Sequence, residues 1–289
     1  MLSYLEALEA LFNTGTMGQA ATRLRLSQSA ISKRIASLEE KLGLTLIEKN
    51  GRRVNLTPEG RHLLERLQPL LAEFRNALQA EPSQHIGRLT LGISESVLSS
   101  WGARLLAETC NQLPSLNLEV HAHRSPVVVD RVLSGEYQLG IIAGAADQAQ
   151  TLFVQEILRE PMVLVPKNLE RLPAKREGLN VITIESRSGT WSAIEKRCQN
   201  LGLVREREME SFFGVIQMAL AGFGHGLVPW GVCEALRLES KTLSHFSMNE
   251  LSRPISLIAR PTTIARQLPS LFLKTLVEMA PILVTSRFP

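Results

Sequence analysis

Residues 20–60, AATRLRLSQSAISKRIASLEEKLGLTLIEKNGRRVNLTPEG, constrain this chain more than any other stretch. Just upstream, Leu2, Leu5, Leu8, Leu11 and Phe12 recur at helical spacing and predict an amphipathic helix. Gly15 and Thr16 end that run. A second helix is expected from about Gly18 to Leu24, with Ala20 and Ala21 small enough for close packing. Ser27 then stands where an N-cap belongs, its hydroxyl able to satisfy a free amide of the next turn. Ala30, Ile31, Ile35, Leu38 and Leu42 carry an inward stripe as far as Gly43, which terminates the third helix. Gln28, Ser29, Ser32, Lys33 and Arg34 fall outside the stripe near the helix start. In a helix-turn-helix such positions meet base edges and phosphates in the major groove. Gln and Lys or Arg offer donors matched to purine edges, and Ser serves bases or phosphates.

Leu44 to Glu48 reads as a strand, Asn50-Gly51 as a tight turn, and Arg52 to Leu56 as the returning strand. Arg52 and Arg53 at that turn would reach flanking phosphates or the adjacent minor groove. Residues 22–57 hold eight Lys or Arg against three Glu, an excess of five. The whole chain carries a formal charge of only +4, so the positive balance is concentrated here. Such charge supplies the salt-sensitive, sequence-independent part of DNA affinity. A small helical domain with a solvated basic face would explain the charge alone. It does not explain paired alanines, Ser-Gln at a helix start and a basic Asn-Gly hairpin together.

The run AAxxLxxSQSAISxxIxxLEExLGxxL followed by GRRVxLTPEG resembles the N-terminal pattern of LysR-type transcriptional regulators. The resemblance implies an α/β protein: an N-terminal winged helix-turn-helix, a long linker helix, and a two-lobed periplasmic-binding-protein-like (type 2) effector domain. Carried over by position, Gln28, Ser29, Ser32 and Lys33 would sit at the DNA, with Arg52 and Arg53 on the wing. The chain departs from the pattern twice. Lys33 stands where Arg is common, which removes a planar bidentate fork. Ile47-Glu48-Lys49 replaces Phe-x-Arg, which puts one phosphate contact in question.

At 289 residues the chain exceeds one average domain, and 44% hydrophobic with 21% charged residues is ordinary for a globular protein. No apolar run is long enough to span a bilayer, and MLSYLEALEALF has no basic cluster of a secretory signal. Cys110, Cys198 and Cys233 form no CxxC pair and read as isolated buried residues, so a reducing cytoplasm is expected.

Thr57-Pro58-Glu59 looks like a helix start, and Leu63, Leu64, Leu67, Leu70, Leu71, Phe74 and Leu78 then mark one face. A helix this apolar on one side needs a partner, most simply a second copy, with packing on the same chain as the alternative. Pro69 should bend it, and 81–87, EPSQHIG, has hinge composition. From Arg88 onward, strand-like runs at Arg88–Ile93, Leu116–Ala122, Tyr137–Ala143, Pro161–Val165, Val181–Ile184, His225–Val228 and Ile255–Ala259 alternate with helical patterns. The expected domains are 1–58 (DNA-binding), 59–87 (linker and hinge) and 88–289 (effector-binding). By family analogy the first lobe is 88–162 plus 266–289 and the second is 163–265.

Ligands of such folds sit beyond the carboxyl ends of strands. Three polar turns occupy that position: Ser94-Glu95-Ser96, Arg124-Ser125, and Ser186-Arg187-Ser188-Gly189-Thr190. Hydroxyls and free amides at helix starts suit carboxylates. Plain N-capping accounts for any one of these serines, whereas three such turns argue for a shared cleft. Glu95 would repel an anion there, so it is expected to meet an amino or guanidinium group of the ligand, or to pair with Arg124 or Arg187. Phe212, Phe213, His225 and Trp230 would line an apolar side or belong to the core. The effector residues expected are therefore Ser94, Glu95, Ser96, Arg124, Ser125, Ser188, Thr190, Phe213 and His225.

His121 and His123 share a strand face, but two such residues without a Cys or acid cluster nearby in sequence do not make a metal site. No phosphate loop, nucleophile elbow or zinc-protease motif is present, and GFGHGLVP at 222–229 lacks the order of a nucleotide loop. The reading is a ligand-responsive, sequence-specific transcription regulator, with no catalytic residues and no cofactor beyond a small-molecule co-inducer. Expected partners are double-stranded DNA with an imperfect palindrome, the effector, and further copies as homodimer or homotetramer. RNA polymerase is a further partner the resemblance allows, and no membrane is expected. An enzyme or scavenging binder with a basic accessory domain, and a non-specific architectural DNA protein, are the competing readings.

Overall fold

The computed structural model describes residues 1–50, 53–78, 87–146, 151–172 and 177–284. Two compact units divide the chain, Met1–Glu81 and Pro82–Pro289.

In the first unit, helices α1 (Leu2–Thr14), α2 (Met17–Leu24) and α3 (Gln28–Leu42) precede the hairpin β1 (Ile47–Asn50) and β2 (Arg53–Leu56) and the helix α4 (Pro58–Leu78). The boundaries follow local chemistry. Thr16 and Ser27 cap α2 and α3, their hydroxyls accepting from Gln19 N and Ala30 N at 3.3 and 3.2 Å. Gly15 and Gly43 close α1 and α3 with φ of 72° and 66°, a left-handed turn open to glycine at little cost. Ala7, Leu8, Leu11, Ala20, Ala21, Ile31, Ile35 and Leu38 form one core with Leu46, Leu56 and Leu64. The first expected strand starts three residues later than its pattern suggested, because Glu39 takes the amides of Leu46 and Ile47 at 2.7 and 3.2 Å. Gly60 is required by close approach, since a Cβ there would lie 2.1 Å from the Leu46 carbonyl. Helix α4 is continuous through Pro69. Its Leu64 joins the core of the unit, while Leu70 and Phe74 stand exposed.

The second unit holds β3 (Gly87–Ser94), α5 (Glu95–Val97), α6 (Ala103–Asn111), β4 (Leu116–His123), α7 (Ser125–Leu133), β5 (Leu139–Ala143) and β6 (Phe153–Val165). It continues through β7 (Leu179–Ile184), α8 (Gly189–Asn200), β8 (Leu203–Met209), α9 (Phe212–Leu220), β9 (His225–Pro229), α10 (Trp230–Ala235) and β10 (Ser244–His245). Strand β11 (Ser252–Ala259) and helices α11 (Pro261–Ile264) and α12 (Gln267–Leu283) complete it. The strand order is β4-β3-β5-β11-β6-β9-β7-β8, with β10 also on β6. Strand β6 is shared: residues 153–161 pair antiparallel with β11, and Met162–Val165 pair with β9. Each lobe has its own core, one around Leu89, Ile93, Trp101, Ile141, Leu257 and Phe272, the other around Val163, Val181, Trp191, Ile194, Val215 and Leu227.

Strand β11 corrects the expected lobe boundary. It pairs with β5 and contributes Ile255, Leu257 and Ala259 to the first core, so the chain returns to the first lobe before Ser252 rather than near 266. Strand β8 was not anticipated. Its sequence, LVREREM, is an exposed edge with few apolar residues, which weakens the hydrophobic signal. Among the described residues no helix is long and apolar enough to cross a membrane.

Candidate functional site

Two surfaces carry chemistry, one in each unit. On α3 the apolar residues Ile31, Ile35 and Leu38 are buried, whereas Ser27, Gln28, Ser29, Ser32 and Lys33 are exposed. Ser27 and Ser29 share a hydroxyl hydrogen bond of 2.9 Å. Arg34 differs from its neighbours: it is half-buried, and its Nη1 donates to the Ser3 carbonyl at 3.4 Å, tying α3 to α1. Among the described residues expected at the DNA, it is therefore the one turned toward the protein. Arg53 is exposed at the hairpin, and Val54 N donates to the Gly15 carbonyl at 3.0 Å, which fixes the hairpin against α1. Gly51, Arg52 and residues 79–86 of the expected hinge lie outside the described residues.

In the second unit, a cavity of about 260 Å³ lies between the lobes. Of the nine expected effector residues, Ser94, Glu95, Ser96, Arg124, Ser125, Ser188, Thr190 and Phe213 line it. His225 does not: it stands at the start of β9, the end opposite the cleft, and its Nδ1 accepts from Lys167 N at 3.2 Å. Burial and the nearby Lys167 charge hold its imidazole below the ordinary histidine value. Trp230 also lies off the lining, although Val232 and Leu236 reach it. Phe212, buried, and Phe213, exposed, supply aromatic walls.

The charge pattern of the cleft differs from expectation. Arg124 pairs across the opening with Glu185 and, at 3.8 Å, with Glu210, so it is not the partner of Glu95. Glu185 and Glu210 are at the ends of the second-lobe strands β7 and β8, and both line the cavity with the exposed Glu95. Two of these three carboxylates are thus paired with Arg124. Arg187 is exposed and lines a smaller adjoining cavity of about 150 Å³ with Ser125 and Ser188.

The floor holds the residues that sequence reasoning missed. Arg253 of β11 is fully buried. Its Nε and Nη2 donate to Glu160 Oε2 at 2.9 and 2.7 Å, and its Nη1 to Ser96 Oγ and Thr190 Oγ1 at 3.1 and 3.3 Å. Phe212 lies over the guanidinium at 5.3 Å. Glu160 Oε1 accepts from Trp101 Nε1 and from Gly231 N, both at 3.0 Å. A Cβ on Gly231 would stand 2.6 Å from that oxygen, which requires glycine there. The glycine after Trp230 and the acid just before the Pro161 apolar run were the only sequence signals of this arrangement.

The histidine pair is occupied by its neighbours: His121 Nε2 contacts Glu119 at 3.1 Å, and His123 Nε2 contacts the Tyr137 hydroxyl at 2.9 Å. Among the described residues no group of three or more His, Cys, Asp or Glu is arranged to hold a metal. Burial pushes the thiols of Cys198 and Cys233 up to about 12.

Comparison with known proteins gives the arrangement its context. Residues 2–61 match the family described as "Bacterial regulatory helix-turn-helix protein, lysR family", and residues 82–281 match the "LysR substrate binding domain". An uncharacterized HTH-type transcriptional regulator of Vibrio cholerae is 28% identical over 90% of each chain. A probable RuBisCO transcriptional regulator of Trieres chinensis is 25% identical over 90% of this chain and 91% of its own. Among solved structures, a full-length OxyR variant from Pseudomonas aeruginosa superposes with a TM-score of 0.66 at 19% identity, covering 99% of each chain. CbnR complexed with its target DNA gives 0.63 at 18%, covering 96% of this chain and 99% of that one. LysG of Corynebacterium glutamicum with bound effector Arg gives 0.58 at 16%, covering 97% and 98%. Helix-turn-helix unit and two-lobed unit together account for nearly the whole chain, which belongs to the LysR family of DNA-binding transcription regulators.

Proposed function

We propose that this regulator reads an imperfect palindrome through paired copies of α3 and answers to a small zwitterionic effector carrying both an amino and a carboxylate group. On the DNA side, Gln28, Ser29, Ser32 and Lys33 reach the bases and phosphates of the major groove, and the wing arginines Arg52 and Arg53 grip the flanking backbone. Ser27 serves chiefly as the cap that orients the helix start, and Arg34 contributes charge more than contact. The exposed Leu70 and Phe74 on α4 support pairing with a second copy, as homodimer or dimer of dimers. RNA polymerase would be met in that assembled state, in the cytoplasm.

On the effector side, the observation that carries the reading is the partition of the cavity. Hydroxyls of Ser94, Ser96, Ser125 and Thr190, with the N-terminus of α8 at Ser188–Gly189, make one end suited to a carboxylate. Glu95, Glu185 and Glu210 make the opening suited to an ammonium or guanidinium group. A volume of about 260 Å³ is at the small end for ligand pockets and matches a single metabolite. The effector bound to LysG, Arg, is of this class. Effector binding would bias the angle between the lobes and so the spacing of the DNA heads.

Thermal melting of the full chain against the twenty L-amino acids tests the reading. At least one should raise the melting point, and Glu95→Gln should weaken it. Stabilisation only by dicarboxylates or uncharged compounds would replace the proposed effector class.

A further inference from the structure

The Arg253 guanidinium bears on the polarity of the ligand without having to touch it. We propose that Arg253 is a positioning residue that biases the hydroxyls of the cleft floor toward donating, so that an effector binds preferentially with its anionic end inward. The inference rests on the reading of the cleft as an effector site, and it adds the residue that sets orientation and specificity there.

A hydroxyl oxygen can accept and donate, so a pair of serine or threonine hydroxyls does not by itself select a carboxylate over an amine. Here the choice is biased, because each hydroxyl oxygen gives one of its two lone pairs to a cation, which strengthens its O–H as a donor and weakens the oxygen as a further acceptor. Arg253 Nη1 donates to both Ser96 Oγ and Thr190 Oγ1, at 3.1 and 3.3 Å, and a guanidinium has no acceptor to offer in return. Each hydroxyl oxygen is thus engaged by a cation and turns its proton elsewhere. Thr190 has the Ala143 carbonyl at 3.5 Å, a distance at which little is lost by leaving it. Ser96 has Ser94 Oγ at 3.3 Å, itself a hydroxyl. Both protons are therefore available to a stronger acceptor in the cavity that the two residues line.

Glu160 makes this arrangement durable. One carboxylate oxygen holds two of the Arg253 donors, and the other is held by Trp101 Nε1 of the first lobe and Gly231 N of the second. The guanidinium cannot rotate toward the cavity without breaking bonds in a fully buried pair. Its third donor stays aimed at the two hydroxyls, one from each lobe. An acceptor bridging Ser96 and Thr190 would therefore also bridge the lobes.

The test is the affinity ratio between an acid and its carboxamide. The best-bound L-amino acid of the twenty and its α-carboxamide are titrated into the full chain by calorimetry. The protein should prefer the acid by about tenfold or more, the range of a charge-assisted hydrogen bond. Arg253→Met/Glu160→Leu, which removes the pair without leaving a buried charge, should bind acid and amide about equally, and Arg253→Lys should retain part of the preference. A loss of affinity for both compounds with the ratio unchanged would mark Arg253 as merely structural and overturn the proposal. Should the double variant not fold, Ser96→Ala/Thr190→Val keeps the ion pair and must also abolish the ratio; if it does not, the proposal fails. Binding of none of the twenty acids to the wild-type chain would instead overturn the effector class, and this proposal with it.

Discussion

Glu160 and Arg253, separated by 93 positions in the chain, form a fully buried ion pair at the point where the two lobes meet. Each partner is bonded to both lobes: Glu160 to Trp101 and Gly231, Arg253 to Ser96 and Thr190. A buried pair is costly to break because the surviving charge keeps its desolvation penalty and loses its compensation. Glu160→Ala should therefore destabilise the effector unit by about 3–5 kcal/mol. Arg253→Met/Glu160→Leu, with similar volume and no charge, should cost less, about 2–4 kcal/mol, most of it from the orphaned Trp101 Nε1 and Gly231 N donors. Urea denaturation of the three proteins checks both values. A single variant as stable as wild type would mean that the pair is not packed as described.

The lobes also touch through backbone alone. Gly144 has φ of +99°, and a Cβ there would lie 2.0 Å from the Gly189 carbonyl carbon at the start of α8. Ala145 N donates to Gly189 O at 2.7 Å across the same approach. Gly144→Ala combines backbone strain with a clash that cannot be relieved by a flexible side chain, so a loss of about 2–4 kcal/mol is expected. Melting curves of the variant would contradict this by coinciding with wild type.

His225 gives the second unit a pH dependence of known sign. Burial first, and the Lys167 charge second, lower its folded pKa below the ordinary 6.5. The unfolded chain then binds more protons between those two values, so stability rises with pH across that window. The stabilising preference for neutral imidazole is complete above about pH 6.5 and is lost as pH falls through the lowered folded value. His225→Gln keeps an acceptor for Lys167 N and removes the titration. Its melting point should fall less than that of wild type between about pH 7 and 5; parallel curves would refute the assignment.

The cysteines of this chain have the wrong chemistry for thiolate reactivity. Burial holds Cys198 and Cys233 at about 12, and it raises Cys110 as well. A thiol, unlike a thiolate, is a poor nucleophile. Iodoacetamide near neutral pH should therefore leave Cys198 and Cys233 unlabelled in the native protein, with the partly exposed Cys110 reacting first. Micromolar peroxide should leave DNA affinity unchanged. Rapid labelling of either buried thiol would show that its site opens.

How far the sequence could be read depended on whether the relevant partners are local. The helix-turn-helix was legible because capping, apolar period and glycine stops act within a few residues: Ser27, Ile31, Ile35 and Gly43 all stand as their spacing predicts. The three polar turns were legible for the same reason, since each follows a short strand-like run. Arg253 was not. In the run SRPIS it reads as a solvated arginine beside a proline, and only Glu160 on another strand makes its burial tolerable. Strand β11 was found but placed in the wrong lobe, because register with β5 is a tertiary fact. His225 was expected in the cleft among residues that follow the second-lobe strands, but it opens β9, and the parallel partner β7 makes that the far end.

Reading of a DNA sequence by the exposed edge of α3 is measured by fluorescence anisotropy with a genomic promoter fragment and a random duplex at about 150 mM salt. Wild type should prefer the promoter by about a thousandfold or more, the usual ratio for specific binders. Gln28→Ala should cost about 1–3 kcal/mol on the promoter and little on the random duplex, while Lys33→Ala should also flatten the dependence on salt. Equal affinity of the wild type for both duplexes, or a Gln28→Ala protein that discriminates as well as wild type, would show that α3 does not read sequence.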